Sequence, residues 1–370
     1  MRVPYVDFPL QYMEEKENLQ AIVERVFSNG VFVGGGDVDE LEDKLCNYTS
    51  AAHAVALNSG TDALILCLRV AGIGSGDEVI TAPNSFIASV SAIVQSGATP
   101  VFADVLDDQN IDPAAIERAI TNRTKAILPV HLTGRIADMN PIMELAKRHG
   151  LIVIEDAAQA FGSRYDGNMS GTIGHFGCIS AHPLKNLNAA GDAGFVLTDD
   201  DKAAERLRRI RSHGLVDRDT SLEFGTVSRM DTLQAAVLAY RMGKLDDIIE
   251  KRRKNVSLYR SLLDPRFVFW PPCRDIEFNT FHTFVIQVDK RDSLKDFLQE
   301  KGVASAIHYP VPIHLQPAAR DLGFGPGSFP VTEHQAGRIL SLPVHQFLKD
   351  GQIRYVAETI NKFYEGNITS

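Results

Sequence analysis

A lysine and an aspartate, 29 residues apart, are the strongest candidates for chemistry in this 370-residue chain. Lys185 ends the string Ser180-Ala-His-Pro-Leu-Lys, just after an apolar stretch, and Asp156 ends the hydrophobic run Ile152-Val-Ile-Glu-Asp. A lysine that forms a Schiff base reacts as the free amine, and burial favours that form because it lowers the pKa of the amine. An aspartate at the end of a buried strand could keep a pyridinium nitrogen protonated. The pair therefore predicts pyridoxal phosphate (PLP), which needs a covalent anchor and a charged partner for its ring.

A second candidate for ligand binding is the turn Asn58-Ser-Gly-Thr61, which opens a helix directly after the apolar string Ala54-Val-Ala-Leu57. Free amides and the positive end of the helix dipole make such a turn suited to bind a phosphate. Gly60 would let the backbone approach the phosphate closely, and the hydroxyl of Ser180 could bind the same group. A strand-to-helix turn with an ordinary N-cap has the same pattern, so this string alone leaves both interpretations open.

Aromatic and amide side chains near these strings could contact a flat ring. Phe86, which follows Pro83-Asn84-Ser85, could stack on a ring, although an aromatic residue at a helix start more often packs in a core. Gln159, three residues after the aspartate, could reach a ring hydroxyl. The proline-rich string from His308-Tyr309 to His314 is poorly suited to regular structure, and it predicts either a binding loop or a structural turn.

Strands and helices alternate along the first two thirds of the chain. Apolar runs predict strands at about 54–57, 79–83, 100–104, 125–131, 152–156 and 195–198. Helices are predicted at about 14–27, 38–49, 62–71, 86–95, 112–119, 139–149 and 201–211, and one from about 232 through 253 to 263. Apolar strands in this alternation predict an α/β fold with a mostly parallel sheet and helices on both faces. Ligands in such sheets bind at the carboxyl ends of the strands, where Ser59, Ser85, His131 and Asp156 are predicted to lie.

The pattern changes after about residue 250. Residues 282–288 alternate as a strand does, 293–301 are predicted to form a helix, 304–309 a strand and 352–364 a closing helix. This order predicts a smaller α+β domain, attached through the long helix. We therefore predict a large PLP-binding domain at residues 1–248 and a small C-terminal domain at residues 249–370.

Composition narrows the classes of function. The net charge of −9 disfavours a nucleic-acid partner. The chain start has no apolar core of signal-peptide length, and no apolar run approaches the ~20 residues of a membrane span. The four cysteines are scattered, which predicts reduced thiols without a disulfide framework or a zinc site. These features predict a cytoplasmic protein without a metal. The four positions are Cys46, Cys67, Cys178 and Cys273.

Taken in order along the chain, these strings resemble the PLP-dependent sugar aminotransferases of the DegT/StrS type, within the aspartate aminotransferase (fold type I) group. The resemblance extends over essentially the whole sequence, and the Glu-Asp-Ala-Ala-Gln and Ser-x-His-Pro-x-Lys-Asn strings are its most specific parts. The matching stretches are Asn58-Ser-Gly-Thr-Asp-Ala63, Ser85-Phe-Ile-Ala88, Val130-His-Leu-Thr-Gly134, Glu155-Asp-Ala-Ala-Gln159, Ser180 to Asn186, Gly191-Asp-Ala-Gly194, Ser228-Arg-Met-Asp231 with Gln234-Ala-Ala236, and Ile307-His-Tyr-Pro310.

The resemblance implies a role for seven residues in holding the cofactor. These are Lys185 for the Schiff base, Asp156 for the ring nitrogen, Gln159 for the ring hydroxyl, Phe86 for stacking, and Gly60, Thr61 and Ser180 for the phosphate. Some relatives have histidine at the lysine position and act as dehydratases. A lysine at this position favours transamination.

The same resemblance implies transfer of an amino group from L-glutamate to a nucleotide-linked keto-sugar. The stretch from Ile307 to Gln316 is most similar to relatives that aminate a 3-keto sugar, which predicts amination at C3 and makes His308, Tyr309 and His314 candidate substrate contacts. Amination at C4 of a 4-keto-6-deoxy sugar, or of a keto-inositol, is the alternative. A non-enzymatic regulator with this fold would be expected to lack part of the PLP-binding set. A PLP lyase or desulfurase is a third hypothesis, but neither Cys178 nor Cys273 lies in an evident Gly/Ser-rich mobile loop of the kind that a persulfide carrier would need.

A homodimer with active sites shared between two subunits is also implied. The family often has the string Gly-x-Asn-x-Arg-Met, whose asparagine reaches the cofactor phosphate of the neighbouring subunit. This chain reads Gly225-Thr-Val227-Ser-Arg229-Met, and valine cannot donate that hydrogen bond. The contact is therefore expected to come from Ser228 or Arg229, or to be missing.

Overall fold

Strands and helices alternate up to residue 210 in the computed structural model, which describes residues 1–368. The strands are β1 His53–Leu57, β2 Glu78–Thr81, β3 Thr99–Phe102, β4 Thr124–Leu128, β5 Ile152–Asp156, β6 Arg164–Tyr165, β7 Asn168–Met169, β8 Phe176–Ser180, β9 Gly194–Thr198, β10 Val268–Phe269, β11 Glu277–Phe278, β12 Phe284–Val288 and β13 Ile339–Leu342. The α-helices are α1 Phe8–Asn29, α2 Gly36–Thr49, α3 Gly60–Val70, α4 Ile87–Gln95, α5 Pro113–Ala119, α6 Met139–His149, α7 Asp201–Ile210, α8 Thr232–Met242, α9 Leu245–Leu262, α10 Arg291–Glu300, α11 Pro330–Ala336 and α12 Asp350–Ile368.

Seven strands form the central sheet, in the order β1-β9-β8-β5-β4-β2-β3. The strands β8, β5, β4, β2 and β3 are parallel to each other, and β9 runs antiparallel to both β8 and β1. All strands of this sheet except β9 therefore share one direction, and their carboxyl ends meet at one edge. The mostly parallel sheet predicted from the sequence is confirmed.

Side chains that alternate along the strands pack on the two faces of the sheet. In β1, Val55 and Leu57 join a core cluster with α3, α4 and α7, whereas Ala54 and Ala56 join a cluster with α2 and α8 on the opposite face. The strands β4 and β5 alternate in the same way, and α5 and α6 cover the second face there. Since both faces are buried, the middle of each strand is mostly apolar, and the polar residues lie mainly at the strand ends.

The residues after α9 surround a second, smaller antiparallel sheet, in the order β10-β12-β13. Its core cluster contains residues from Val256 to Tyr364, together with Val3 from the start of the chain. The boundary predicted at residue 248 falls inside α9. The division into two domains at that position remains a prediction.

The single long helix predicted from about 232 to 263 is wrong. The structure has two helices, α8 and α9, and the first ends at Gly243 while the second begins after Lys244. Glycine is a weak helix former, and its presence between two strongly periodic segments was the available signal for the break.

The strand predicted at residues 304–309 is also wrong. Only Ala306 pairs with the small sheet there, through a bridge to Ser341 of β13. Proline lacks the amide that a strand must donate, so Pro310 and Pro312 prevent the pairing from continuing. The strand that completes the small sheet is β13, which has no counterpart among the predicted strands.

Candidate active site

Neighbouring strand ends bring the predicted phosphate turn and the predicted lysine loop together. Asp156 ends β5, directly beside β8. At the end of β8, Ser180 pairs with Gly194 of β9, and Gly194 also pairs with Leu57 at the end of β1. The turn after β1 therefore lies against β8, and a Cβ atom added at Gly60 would be 2.7 Å from the Cβ of Ser180.

The first turn of α3 presents free hydrogen-bond donors to this edge. Ser59 caps the helix, because its hydroxyl accepts a hydrogen bond of 3.1 Å from the amide of Asp62. The amides of Gly60 and Thr61 have no partner within residues 1–368, and the hydroxyl proton of Ser180 has no acceptor there either. Amides at the positive end of a helix, with a hydroxyl beside them, suit a phosphate group.

Asp156 is buried and held from two sides. Ser89 on α4 donates a hydrogen bond of 2.7 Å to Oδ2, and the amide of Ala158 donates one of 3.2 Å to Oδ1. Only 5% of the residue is exposed. A fixed carboxylate in such an environment interacts strongly with a positive charge placed next to it, as a protonated ring nitrogen would be.

The Lys185 amine lies near this carboxylate but pairs with nothing. Its Nζ atom has no hydrogen bond or ion pair within the described part of the chain, and the Asp156 charge still acts on it. Burial lowers the pKa of Lys185 from 10.5 to about 8, and the nearby carboxylate opposes that shift. A considerable share of the amine is therefore neutral at mildly alkaline pH, which is the form that attacks an aldehyde.

The cleft that contains Lys185 and Asp156 has one wall formed by Gln159, Tyr309 and Phe86. The Oε1 atom of Gln159 accepts a hydrogen bond of 2.9 Å from the amide of Thr133, and its Nε2 atom donates to the Tyr309 hydroxyl at 3.3 Å. The rings of Tyr309 and Phe86 lie 5.7 Å apart. Phe86 is 54% exposed, so its ring is accessible to a flat ligand.

The structure separates the two histidines of the proline-rich string. His308 lies near Lys185, and burial followed by that positive charge lowers its pKa to about 4. His314 instead is enclosed, with its Nε2 atom 3.0 Å from Glu333 Oε1 and its ring centre 4.8 Å from that of Phe329. The structure therefore brings His308 and Tyr309 to the cleft, but it does not bring the side chain of His314 to its surface.

Two polar groups beside Asp156 have no counterpart among the predicted site residues. Ser89 follows Phe86 by three residues, so one helical turn brings it to the same face of α4, and that spacing was its only sequence signal. Glu155 is buried 2.7 Å from His131, and it also accepts hydrogen bonds from amides of the turn before β8. Glu155 thereby ties the end of β5 to the segment after β4 and to the turn that precedes β8.

The polar groups in the cleft match the chemistry of PLP. The free amides of α3 suit its phosphate, the Asp156 carboxylate suits its ring nitrogen, and the unpaired Lys185 amine suits its aldehyde. The close approach of Gly60 to Ser180 leaves no space for a side chain in the phosphate turn. The residues present therefore fit this cofactor.

Three further features of the described residues concern metal ligands, membrane-spanning helices and cysteines. Within residues 1–368, no group of three or more metal-ligating side chains converges on one point. No helix in the same range has both the length and the apolar character needed to cross a bilayer. All four cysteines are free thiols, at positions 46, 67, 178 and 273.

We expect Gly60→Ala to damage the phosphate turn without removing any polar group. Its new Cβ would approach Ser180 so closely that the turn or β8 must shift, and overpacking of this kind costs about 1–3 kcal/mol of unfolding free energy. PLP affinity should fall by roughly tenfold if a similar free energy is lost from the bound state. The measurements are thermal unfolding and a spectrophotometric titration with PLP.

Gly36→Ala is the matched control, because Gly36 also begins a helix but a Cβ there would meet nothing within 4 Å. It should leave PLP affinity unchanged. Equal PLP affinity in Gly60→Ala and the parent protein would refute the proposed role of the turn.

Comparison with known proteins places the chain in a family. The family model described as the DegT/DnrJ/EryC1/StrS aminotransferase family matches residues 13–361. The Pleiotropic regulatory protein of Geobacillus stearothermophilus is 42% identical, over 98% of this chain and 99% of that protein. The dTDP-3-amino-3,4,6-trideoxy-alpha-D-glucose transaminase of Streptomyces venezuelae is 39% identical, over 98% of this chain and 97% of that protein.

Solved structures agree with this relationship. The structure of S. venezuelae DesV in complex with a ketimine intermediate has a TM-score of 0.95 at 39% identity, and the match covers 98% of both chains. The PLP-form of Spr1654 from Streptococcus pneumoniae has a TM-score of 0.90 at 27% identity, over 95% of this chain and 96% of that one. The predicted fold class and the predicted family are thereby confirmed. The chain belongs to the DegT/DnrJ/EryC1/StrS family of PLP-dependent sugar aminotransferases.

Proposed function

We propose that this chain transfers the amino group of L-glutamate to C3 of a nucleotide-linked keto-sugar and uses PLP as its cofactor. One observation carries the proposal: the unpaired amine of Lys185, the buried carboxylate of Asp156 and the free amides after Ser59 lie together at one sheet edge. A PLP enzyme needs these three groups in one cleft. Membership of the family supplies the class of reaction.

Lys185 is the proposed proton carrier. When bound, PLP supplies an electron-withdrawing ring that carries the amino group from donor to acceptor. The Lys185 amine would hold the cofactor and, once released from it, would remove the proton from the α-carbon of glutamate; in the second half of the reaction it would deliver a proton to the sugar carbon that receives the amine. Its pKa of about 8 suits a group that must both accept and donate a proton near neutral pH.

The residues around Lys185 would hold and orient the ring of the cofactor. Asp156 keeps a positive charge on the ring nitrogen, and its hydrogen bond from Ser89 prevents the carboxylate from turning away. Gln159 presents its amide to the ring hydroxyl, and Phe86 supports one face of the ring. These roles are part of the proposal.

The position of amination is supported by one relative and one stretch of sequence. The S. venezuelae relative is named for a 3-amino sugar. The stretch from Ile307 to Gln316 places His308 near the Lys185 amine and Tyr309 against Gln159. We propose His308 and Tyr309 as substrate contacts. Amination at C4 of a 4-keto-6-deoxy sugar, or of a keto-inositol, is the alternative outcome.

A homodimer with shared active sites is also part of the proposal. Large apolar side chains are exposed on α1, on the segment after it and on the loop between α7 and α8, and such surfaces mark protein interfaces. They include Met13, Phe27, Phe32, Val216, Leu222, Phe224 and Val227, and Phe224 is 95% exposed.

The loop between α7 and α8 also contains Val227, at the position where the family often has an asparagine. The hydroxyl of Ser228 donates a hydrogen bond of 3.2 Å to Asn58 Oδ1 within its own chain, so it is already engaged. Arg229 is exposed and has no ion pair within the described residues. We therefore propose Arg229 as the residue that replaces the asparagine.

The proposed reaction predicts two measurable products. With PLP-loaded protein and L-glutamate alone, we expect about one equivalent of 2-oxoglutarate per active site, because without an acceptor the enzyme stops after one half-reaction. Keto-sugars carried on dTDP, UDP and GDP should then be screened for continued turnover. NMR of the product should show the new amine at C3. An amine at C4 or on an inositol would support an alternative, and PLP-loaded protein that releases no 2-oxoglutarate would refute the proposal.

The regulatory name of the Geobacillus stearothermophilus relative makes a non-enzymatic role the competing hypothesis. Such a protein would not need an unpaired, partly buried lysine beside a buried carboxylate, since desolvated charges are costly to maintain. The discriminating observation is the visible absorption of the PLP-loaded protein. A shift on addition of glutamate supports the enzyme, and an unchanged spectrum supports the regulator.

A further inference from the structure

Arg252 on α9 is a buried cation without an anion. The residue is 6% exposed. Its Nη1 atom donates to the carbonyl oxygens of Phe281 and His282 at 3.3 and 3.0 Å, and its Nη2 atom lies 3.5 Å from Gln346 Oε1. Its Nε atom has no partner within residues 1–368, and no carboxylate there pairs with the guanidinium. A buried charge without a counter-ion is costly, and burial lowers the pKa of this arginine to about 10.

Further unpaired polar groups surround this arginine. The Thr283 hydroxyl and the Nδ1 atom of His282 are buried without a hydrogen-bond partner in the described chain, and the buried Tyr5 hydroxyl interacts with the side chain of Ser341. All three side chains line one small cavity with Arg252. Buried polar groups normally have partners, so unpaired donors around one cavity indicate a ligand that accepts hydrogen bonds.

The cavity lies beside the reactive lysine. Leu184, the neighbour of Lys185, forms part of its wall, and a cleft that Lys185 itself lines shares Arg252 with it. Burial first, and then the charges on Lys185 and Arg252, lower the pKa of His282 well below its usual value. His282 therefore lies within the field of both cations and is neutral. Among the described residues, no acidic side chain lines the cavity itself, and the nearest carboxylate named for the adjoining cleft is that of Asp7.

We infer that Arg252, together with the hydroxyls of Tyr5 and Thr283, binds a carboxylate group of the amino donor. A guanidinium in a low-dielectric cavity forms strong, charge-assisted hydrogen bonds with a carboxylate, and the two hydroxyls can donate to its remaining lone pairs. Binding would supply the missing anion next to the amine that must receive the donor's α-carbon proton. This inference rests on the proposed use of glutamate and names the part of the chain that would recognise it.

Calorimetric titration of the PLP-loaded protein with non-reactive probes tests the inference. Glutarate carries the carboxylates of the donor without its amine, and glutaramide has the same shape without the charge. D-glucuronate and inorganic phosphate test whether the cavity instead selects a sugar carboxylate or a phosphate. Each probe is titrated into the parent protein, Arg252→Gln and Arg253→Gln.

Arg253 offers a matched control on the next position of α9. It also donates to a carbonyl oxygen of the same loop, that of Asn279 at 2.9 Å, but its guanidinium lies over the ring of Phe278 outside the cavity. We expect glutarate to bind the parent and Arg253→Gln equally, and Arg252→Gln at least about tenfold more weakly, as for loss of a charged hydrogen bond. Glutaramide should bind weakly to all three.

Arg252 also supports the backbone at Phe281 and His282, so its replacement could unfold the protein. Thr283→Val avoids this difficulty, because it removes a hydroxyl that has no partner in the described chain. Tyr5→Phe is a second variant, which removes a hydroxyl that interacts with the Ser341 side chain but supports no backbone group among the described residues. Either variant should weaken glutarate binding by about three- to tenfold with an unchanged circular dichroism spectrum. The inference fails if folded variants bind glutarate as the parent does, or if glucuronate or phosphate, and not glutarate, shows the dependence on Arg252. These binding results do not depend on which sugar is aminated, or on whether any amine is transferred.

Discussion

Lys185→Ala should abolish amine transfer, with a fall in rate of at least about 10³-fold, since general acid–base catalysis alone contributes roughly 10²–10⁴. The variant loses both the amine that would bind the cofactor covalently and the group that would carry the proton. Arg252, the cation next to the cleft, donates to the carbonyl oxygens of Phe281 and His282 and has no amine with which to replace that of Lys185. The measurements are the release of 2-oxoglutarate from glutamate and the visible absorption after addition of PLP.

Lys202→Ala is the control for this substitution. Lys202 is an exposed lysine on α7, so its loss changes the net charge equally without touching the cleft. It should retain the activity and spectrum of the parent. Turnover near the parent rate in Lys185→Ala would show that the reactive amine lies elsewhere.

Asp156→Asn should slow the glutamate half-reaction by about 10²–10³-fold, the usual loss when one preorganised electrostatic contact is removed. The asparagine keeps the size of the side chain and can still accept the hydrogen bond from Ala158. What disappears is the negative charge that would hold the ring nitrogen positive. Single-turnover measurement of 2-oxoglutarate release isolates this step from sugar binding.

The same variant has a second readout that a loss of folding alone would not produce. The Asp156 charge raises the pKa of Lys185 against the larger effect of burial, so its removal should lower that pKa further below about 8. The pH dependence of amine labelling in the apoprotein reports this value. Asp112→Asn, which changes an aspartate that caps α5, should alter neither readout. A parent-like single-turnover rate in Asp156→Asn would rule out the proposed role.

The convergence of the proposed cofactor-binding residues could be predicted because the fold itself positions them. In a mostly parallel sheet, residues that follow apolar strands meet at one edge, whatever their distance in the sequence. Gly60 and Asp156 each stand at such a strand end, and Lys185 follows β8. Their positions depend on local pattern alone, and the pattern is strong where the strands are buried on both faces.

The small-domain side of the cleft could not be predicted in the same way. His308 and His314 belong to one string, yet one lies near the lysine and the other packs against Phe329. Prolines between them remove the periodicity from which a side chain's direction could be inferred. Tyr5 and Arg252 are 247 positions apart in the sequence, and only tertiary packing brings them to one cavity.

Borohydride reduction of the PLP-loaded protein, followed by peptide mass mapping, tests the central claim most directly, because it traps the covalent bond between protein and cofactor. We predict one reduced pyridoxyl group per chain, on the peptide that contains Lys185. An adduct on another lysine, or none in freshly reconstituted protein, would contradict the proposed site.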